Sequence, residues 1–209
     1  MLGTDSKQGI DRKLQRYGVV FESSGRGKNL TYEIKKITDY FKLYAITKLG
    51  ITANADFKKI RNLYYYLFCC DGFAALPYVE MEQIMTEEGA PISRQTIKKW
   101  IAYLKDINYI MFDTSDCYYY AINKRYDNRK IYREISRDLY LQGWAKYWAT
   151  DRTNGTNWAY AEMRCIVGGH PYKKPKICHN AIYLKKIQEL IDVINESFLD
   201  EITIFKSAC

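Results

Sequence analysis

Ile92-Ser93-Arg94-Gln95-Thr96-Ile97-Lys98-Lys99-Trp100-Ile101-Ala102-Tyr103-Leu104-Lys105-Asp106 is the stretch on which the fold turns. Ile97, Trp100, Ile101 and Leu104 recur at i, i+3, i+4 and i+7, the spacing that gathers apolar side chains on one face of an α-helix. Ser93 stands at the N-cap, where its hydroxyl can accept a first-turn N–H, and Ile92 can staple onto Ile97. The spacing therefore predicts a helix over 93–106. Its opposite face carries Arg94, Gln95, Lys98, Lys99, Ala102 and Lys105.

Outward from this helix the pattern continues. Residues 56–70 read as a helix, since Phe57, Ile60, Tyr64, Leu67 and Phe68 form a stripe, and 78–86 as a short one carrying Met81, Ile84 and Met85. Gly89 and Pro91 then break the chain. After the central helix, 109–112, a polar turn Asp113-Thr114-Ser115-Asp116 and 117–122 read as a β-hairpin. Upstream, 38–48 reads as a helix. Residues 5–17 read as another, capped by Asp5, with Ile10, Leu14 and Tyr17 on one side. Val19-Val20-Phe21 and Leu30–Ile34 read as two strands. Between them lies a glycine-rich turn with Arg26 and Lys28 at its tip.

The last third reads as helical: a long basic helix over 129–150 and another over 157–167. Gly168-Gly169-His170-Pro171 is a breaker, and Lys173-Lys174-Pro175-Lys176 a basic loop. A final helix over 180–199 carries Leu184, Ile187, Leu190, Ile191, Ile194 and Phe198 on one stripe. That stripe needs a partner surface, within the chain or in a second copy forming a homodimer. The expected class is mainly α with short β-hairpins, in three parts: 1–36, 37–123 and a helical C-terminal 124–209.

The order helix, short helix, tight turn, helix, hairpin over 56–122, with the Ile92–Ile97 entry, resembles a winged helix-turn-helix. The resemblance implies that the third helix enters a DNA major groove. Arg94 and Gln95 would then meet base edges, and Lys98 and Lys99 phosphates. Residues 1–36 resemble the second half of another such module. Its helix would read with Lys7, Gln8 and Arg12, beside Ser6 and Asp11, and its wing would offer Arg26 and Lys28, the flanking glycines permitting close approach to a backbone. The family's first two helices have no counterpart before Leu2, so a preceding segment, another part of the chain or a partner would complete this half module.

Charge points the same way. The net +8 is unevenly placed: 8 basic against 4 acidic groups in 1–36, 9 against 10 in 37–123, 14 against 5 in 124–186, and 1 against 5 in 187–209. Two positive blocks around a near-neutral middle attract polyanions through counterion release. Lys173, Lys174 and Lys176 are candidate accessory phosphate contacts. In 125–152, cations interleave with Tyr126, Tyr132, Tyr140, Trp144, Tyr147 and Trp148. We read these aromatics as packed inward and the cations as facing water. The chain's 20 tyrosines suit half-buried surfaces, each ring keeping a polar tip.

Other classes find little support. No apolar run approaches the roughly 20 residues that span a bilayer, and the first residues lack signal-peptide character. Six scattered cysteines fit free thiols in a reducing cytoplasm. Cys165, His170, Cys178 and His179 are zinc-ligand types, but their spacing matches no common finger, so no metal or cofactor is expected. No phosphate-loop or zinc-protease motif occurs, and the chain reads as a non-enzyme. The expected function is sequence-selective binding of double-stranded DNA, as a regulator or replication-initiation factor of prokaryotic or phage type. The rival expectation is a phage-encoded, anti-CRISPR-like inhibitor docking on a host nucleic-acid enzyme. Its motives are the acidic second wing, the tyrosine runs and the half module.

Overall fold

The computed structural model describes residues 6–124, 130–153 and 155–207, with side chains to residue 198. It is mixed α and β: helices α1 (Lys7–Arg16), α2 (Tyr40–Thr47), α3 (Phe57–Cys69), α4 (Tyr78–Glu87), α5 (Arg94–Asp106), α6 (Arg137–Ala149), α7 (Asn157–Val167) and α8 (Leu184–Ser207). The strands are β1 (Val19–Ser24), β2 (Thr31–Ile37), β3 (Ile110–Lys124), β4 (Lys130–Glu134) and β5 (His170–His179). β1 and β2 form an antiparallel hairpin; a second antiparallel sheet has the order β4-β3-β5.

Side-chain caps start most of the helices. Asp39 accepts from Lys42 N at 2.8 Å, Asp56 from Lys59 N at 3.2 Å and Ser136 from Leu139 N at 3.1 Å. Each satisfies one of the orphan N–H groups of a first turn, an effect of about 1 kcal/mol. α1 is capped by Ser6, whose Oγ accepts from Gly9 N at 3.3 Å. The cap thus falls one residue later than the expected Asp5, which lies outside the described residues.

One core gathers α2, α3, α4, α5, the start of β3 and α8, and Tyr64, Leu63, Met81, Ile97, Ile101 and Leu104 are fully enclosed in it. Ile187, Leu190 and Ile194 of α8 join it, packing against α2 and α3. The amphipathic stripe of the last helix is therefore covered within the chain and does not require a second copy; Leu184 lies off it, 53% exposed. A smaller core joins Ala121, Ile135, Tyr147, Ala159, Met163 and Val167 between α6, α7 and β3. Here Gly143 is buried in α6, and a Cβ on it would stand 2.3 Å from Val167 Cγ2. Its missing side chain sets how closely the two helices approach.

Three expectations are corrected. First, 109–122 is not a hairpin but one strand with a bulge. Ile110–Asp113 and Cys117–Ile122 both pair with β5, the register jumping from Asp113↔Lys176 to Cys117↔Pro175. The turn chemistry is real: the Asp113 carboxylate accepts from Ser115 N at 2.8 Å and Asp116 N at 3.2 Å. That curl lifts three residues out without reversing the chain, because β5 holds both flanks. Second, Lys173-Lys174-Pro175-Lys176 is strand, not loop. β5 is a sheet edge, where a proline removes no ladder bond that matters.

Third, the expected helix over 129–150 is, among the described residues, β4 followed by α6, so the 124–209 part is not purely helical. It supplies β4, β5 and α8, and the last two close the core built from 37–123. The two parts are tied by Lys174 Nζ of β5, which donates to Ala74 O at 2.7 Å, while within 37–123 Tyr120 Oη donates to Ala75 O at 2.7 Å. Among the described residues, no helix is long and apolar enough to cross a membrane.

Candidate nucleic-acid interface

α5 is set by its two faces. Ile97, Ile101 and Leu104 are 0% exposed, which fixes the rotation of the helix about its axis. Arg94, Gln95, Lys98, Lys99, Ala102 and Lys105 consequently project outward and are exposed. Trp100, expected on the buried face, is half-buried at its edge, with the Lys99 ammonium 5.3 Å from its ring centre. Lys98 Nζ stands 5.4 Å from the ring centre of Tyr78 in α4. Such contacts hold the lysine stems without neutralising their charge.

The first turn of α5 has two acceptors. Ser93 Oγ accepts from Thr96 N at 3.3 Å, as expected of the cap. Glu82 of α4 adds a carboxylate oxygen 2.9 Å from Arg94 N. This fastens α4 to α5 and suits the positive pole of the helix. It also places an anion beside the outward cations.

β4 lies against the same end. The Glu80 carboxylate accepts the backbone N–H of Tyr132, and burial raises its pKa above the ordinary carboxylate range. Burial raises the Tyr132 pKa, with Tyr172 and Glu80 adding to it, while the positive field of Arg94 opposes. Arg94, Glu80, Glu82 and Tyr132 are thus brought together from α4, α5 and β4.

The N-terminal candidates stand apart. Lys7, Gln8 and Arg12 are exposed along α1, and Arg26 and Lys28 are exposed at the turn between β1 and β2. Asp11 is engaged internally, accepting from Tyr32 Oη at 2.9 Å. Among the described residues, no hydrogen bond or ring contact joins those five to α5. Arg16 links this unit to the loop before α3, donating to Asn54 Oδ1 at 2.6 Å.

The lysine trio divides. Lys173 is exposed. Lys174 is buried, its Nζ donating to Ala74 O at 2.7 Å and Leu76 O at 2.5 Å, so it cannot reach a phosphate. Lys176 is paired with Asp116 Oδ2 at 2.5 Å, a pairing that lowers what it offers an outside anion. The chain buries the middle lysine because alternation along a strand sends it to the face opposite Lys173.

Two features escaped the sequence reading. Trp148, expected inward, is 62% exposed, as is Trp158 at 65%. Arg152 lies 4.7 Å from the ring centre of Trp148. The other feature is a cleft lined by Lys124, Lys130, Arg164 and His170, whose members come from four separate elements. Tyr126, and the rest of 125–129, lie outside the described residues. His170 and His179 stand at opposite ends of β5, paired with Ile122 and Ile110, nine residues and roughly 30 Å apart on an extended strand. No protein-family model, curated protein or solved structure matches the chain.

Proposed function

We propose that the chain is a sequence-selective double-stranded DNA-binding protein that reads the major groove with α5, on a winged-helix core of α3, α4, α5 and the β3–β4 hairpin. One observation carries the reading: the apolar stripe of α5 is fully enclosed, and Arg94, Gln95, Lys98 and Lys99 project outward together. A guanidinium and an amide suit base edges, two ammoniums suit phosphates, and all four leave one helix near its N-terminus. The acidic turn that counted against a DNA-gripping wing is a bulge in β3, with Asp116 paired to Lys176. The β3–β4 connection is flanked instead by Lys124 and Lys130.

Duplex affinity against salt tests this. Wild type is expected to show a steep fall in log affinity with log salt. Replacing Arg94, Lys98 and Lys99 by alanine removes three cations and should flatten the slope by about 2 to 3. A slope near zero in wild type, or one unchanged by the triple replacement, ends the reading.

A second reading, an inhibitor docking on a host nucleic-acid enzyme, is favoured by Trp148, Trp158 and Arg152. Tryptophan and arginine dominate the energetics of protein interfaces. One stoichiometric partner, retained after nuclease treatment and lost on Trp148→Ala with Trp158→Ala, would support it over the first.

A further inference from the structure

The sheet β4-β3-β5 ends beside the C-terminus of α7, and a cleft of roughly 690 Å³ opens between them. Its lining is Ile122, Asn123 and Lys124 of β3, Lys130 of β4, Arg164 and Cys165 of α7, and Gly168, Gly169 and His170. Three permanent cations and an imidazole converge here, and among the described residues no carboxylate lines the cleft. We propose that this cleft binds a phosphoryl group, as a free nucleotide or as the backbone of a nucleic-acid strand.

The architecture leaves the cations available. The C-terminus of a helix is a negative pole, and lysines or arginines near it are often engaged by its carbonyls. At α7 that role is filled by others: Arg133 donates to Val167 O at 2.7 Å, and Asn123 Nδ2 to Gly168 O at 2.7 Å. Among the described residues, Lys124, Lys130 and Arg164 form no ion pair. Lys130 also borders a shallower groove lined by Glu82 and Glu87 of α4, so an anion approaches from the α7 side.

Gly169 shapes the floor. Its φ is +154°, and a Cβ there would stand 2.9 Å from both Ile122 O and Asn123 Oδ1. Only glycine lets the chain pass this close to β3 and set His170 at the rim. The His170 pKa is held below its ordinary value by burial first, then by the fields of Arg164 and Lys130. The volume exceeds that of a phosphate alone and falls within the range of about 300–1,000 Å³ typical of small-molecule sites.

The inference does not rest on the role of α5. NMR titration of the chain's two histidines tests it, with ADP and a thymidine octanucleotide as probes at low salt. A phosphoryl group beside the imidazole favours its charged form, so the His170 pKa should rise on binding while that of His179 stays put. Lys130→Gln and Arg164→Gln, both exposed and not needed for the core, should each weaken binding about tenfold. A response to ADP alone assigns a free nucleotide, and to the octanucleotide alone a strand backbone; either supports the site. If neither probe moves His170, or if binding survives both substitutions, the proposal is overturned. The Arg94, Lys98, Lys99 triple alanine variant should leave the His170 response intact, so failure here and failure of α5 are distinguishable.

Discussion

Lys174 Nζ lies 2.7 Å from Ala74 O, joining an edge strand to a turn 100 residues earlier in the chain. With Leu76 O as second acceptor, a neutral amine can satisfy both carbonyls with its two N–H groups, so losing the proton breaks no bond. Burial accordingly brings the Lys174 pKa down to about 7. In the unfolded chain it keeps its proton to about 10.4. Between these values the unfolded state binds more protons, so stability rises with pH, by at most about 1.4 kcal/mol per unit. The window to read is about pH 7 to 8.5, below the range where Cys69 and Tyr44, whose folded pKa values are raised, begin to pull the other way. Urea midpoints should climb across it in wild type and flatten in Lys174→Met. A flat wild-type profile contradicts the assignment.

Leu190 is 0% exposed although it sits on a terminal helix whose stripe invites a dimer. Its burial against α2 and α3 predicts that Leu190→Ala costs about 2–5 kcal/mol. The unfolding midpoint should fall without depending on protein concentration. A midpoint that shifts with concentration in wild type would instead place a second copy on this helix.

Glu82 accepts the Arg94 N–H and sets a carboxylate at the start of α5. Glu82→Gln keeps an acceptor oxygen and removes the charge. If α5 enters a groove, repulsion of about 0.5–1 kcal/mol disappears, and duplex affinity should rise about two- to five-fold at low salt. The gain should shrink as salt screens it. Fluorescence anisotropy on one duplex at two salt concentrations reads both effects, and unchanged affinity removes Glu82 from the interface.

The elements that were legible in the sequence are those specified locally. α5 could be read from its stripe, its cap at Ser93 and its staple, and α7 has the bounds expected of it. What failed depended on distant partners. Asp113 to Asp116 carries every turn signal, and Asp113 does make the turn. Whether the chain then reverses is decided by β5, more than fifty residues later, which pairs with both flanks. Lys173 to Lys176 looks like a loop because charge and proline are read without knowing that an edge strand awaits them. The outward face of α5 was visible because one helix displays it. The cleft was not, since Lys124, Lys130, Arg164 and His170 have no common period. Ser136 was an available signal that a helix starts at 137, and the alternation of 130–134 was hidden beneath the positive charge around it.

Gly143 offers a test in which two effects of similar size oppose each other. Alanine is about 1 kcal/mol better than glycine inside a helix. At this position, though, the added Cβ would stand 2.3 Å from Val167 Cγ2 and 3.5 Å from Met163 Cγ. Val167 is 0% exposed and β-branched, so its methyl group has no open space and few rotamers into which to retreat. Overpacking of this kind costs about 1–3 kcal/mol, enough to outweigh the propensity gain in most of that range. Gly143→Ala should therefore lower thermal stability despite improving the helix. Val167→Ala removes the obstructing methyl and carries its own cavity cost. The double variant should be more stable than the sum of the two single effects predicts, with a coupling of about 1 kcal/mol or more. Additive single effects would mean that α6 and α7 are not held at the spacing Gly143 permits.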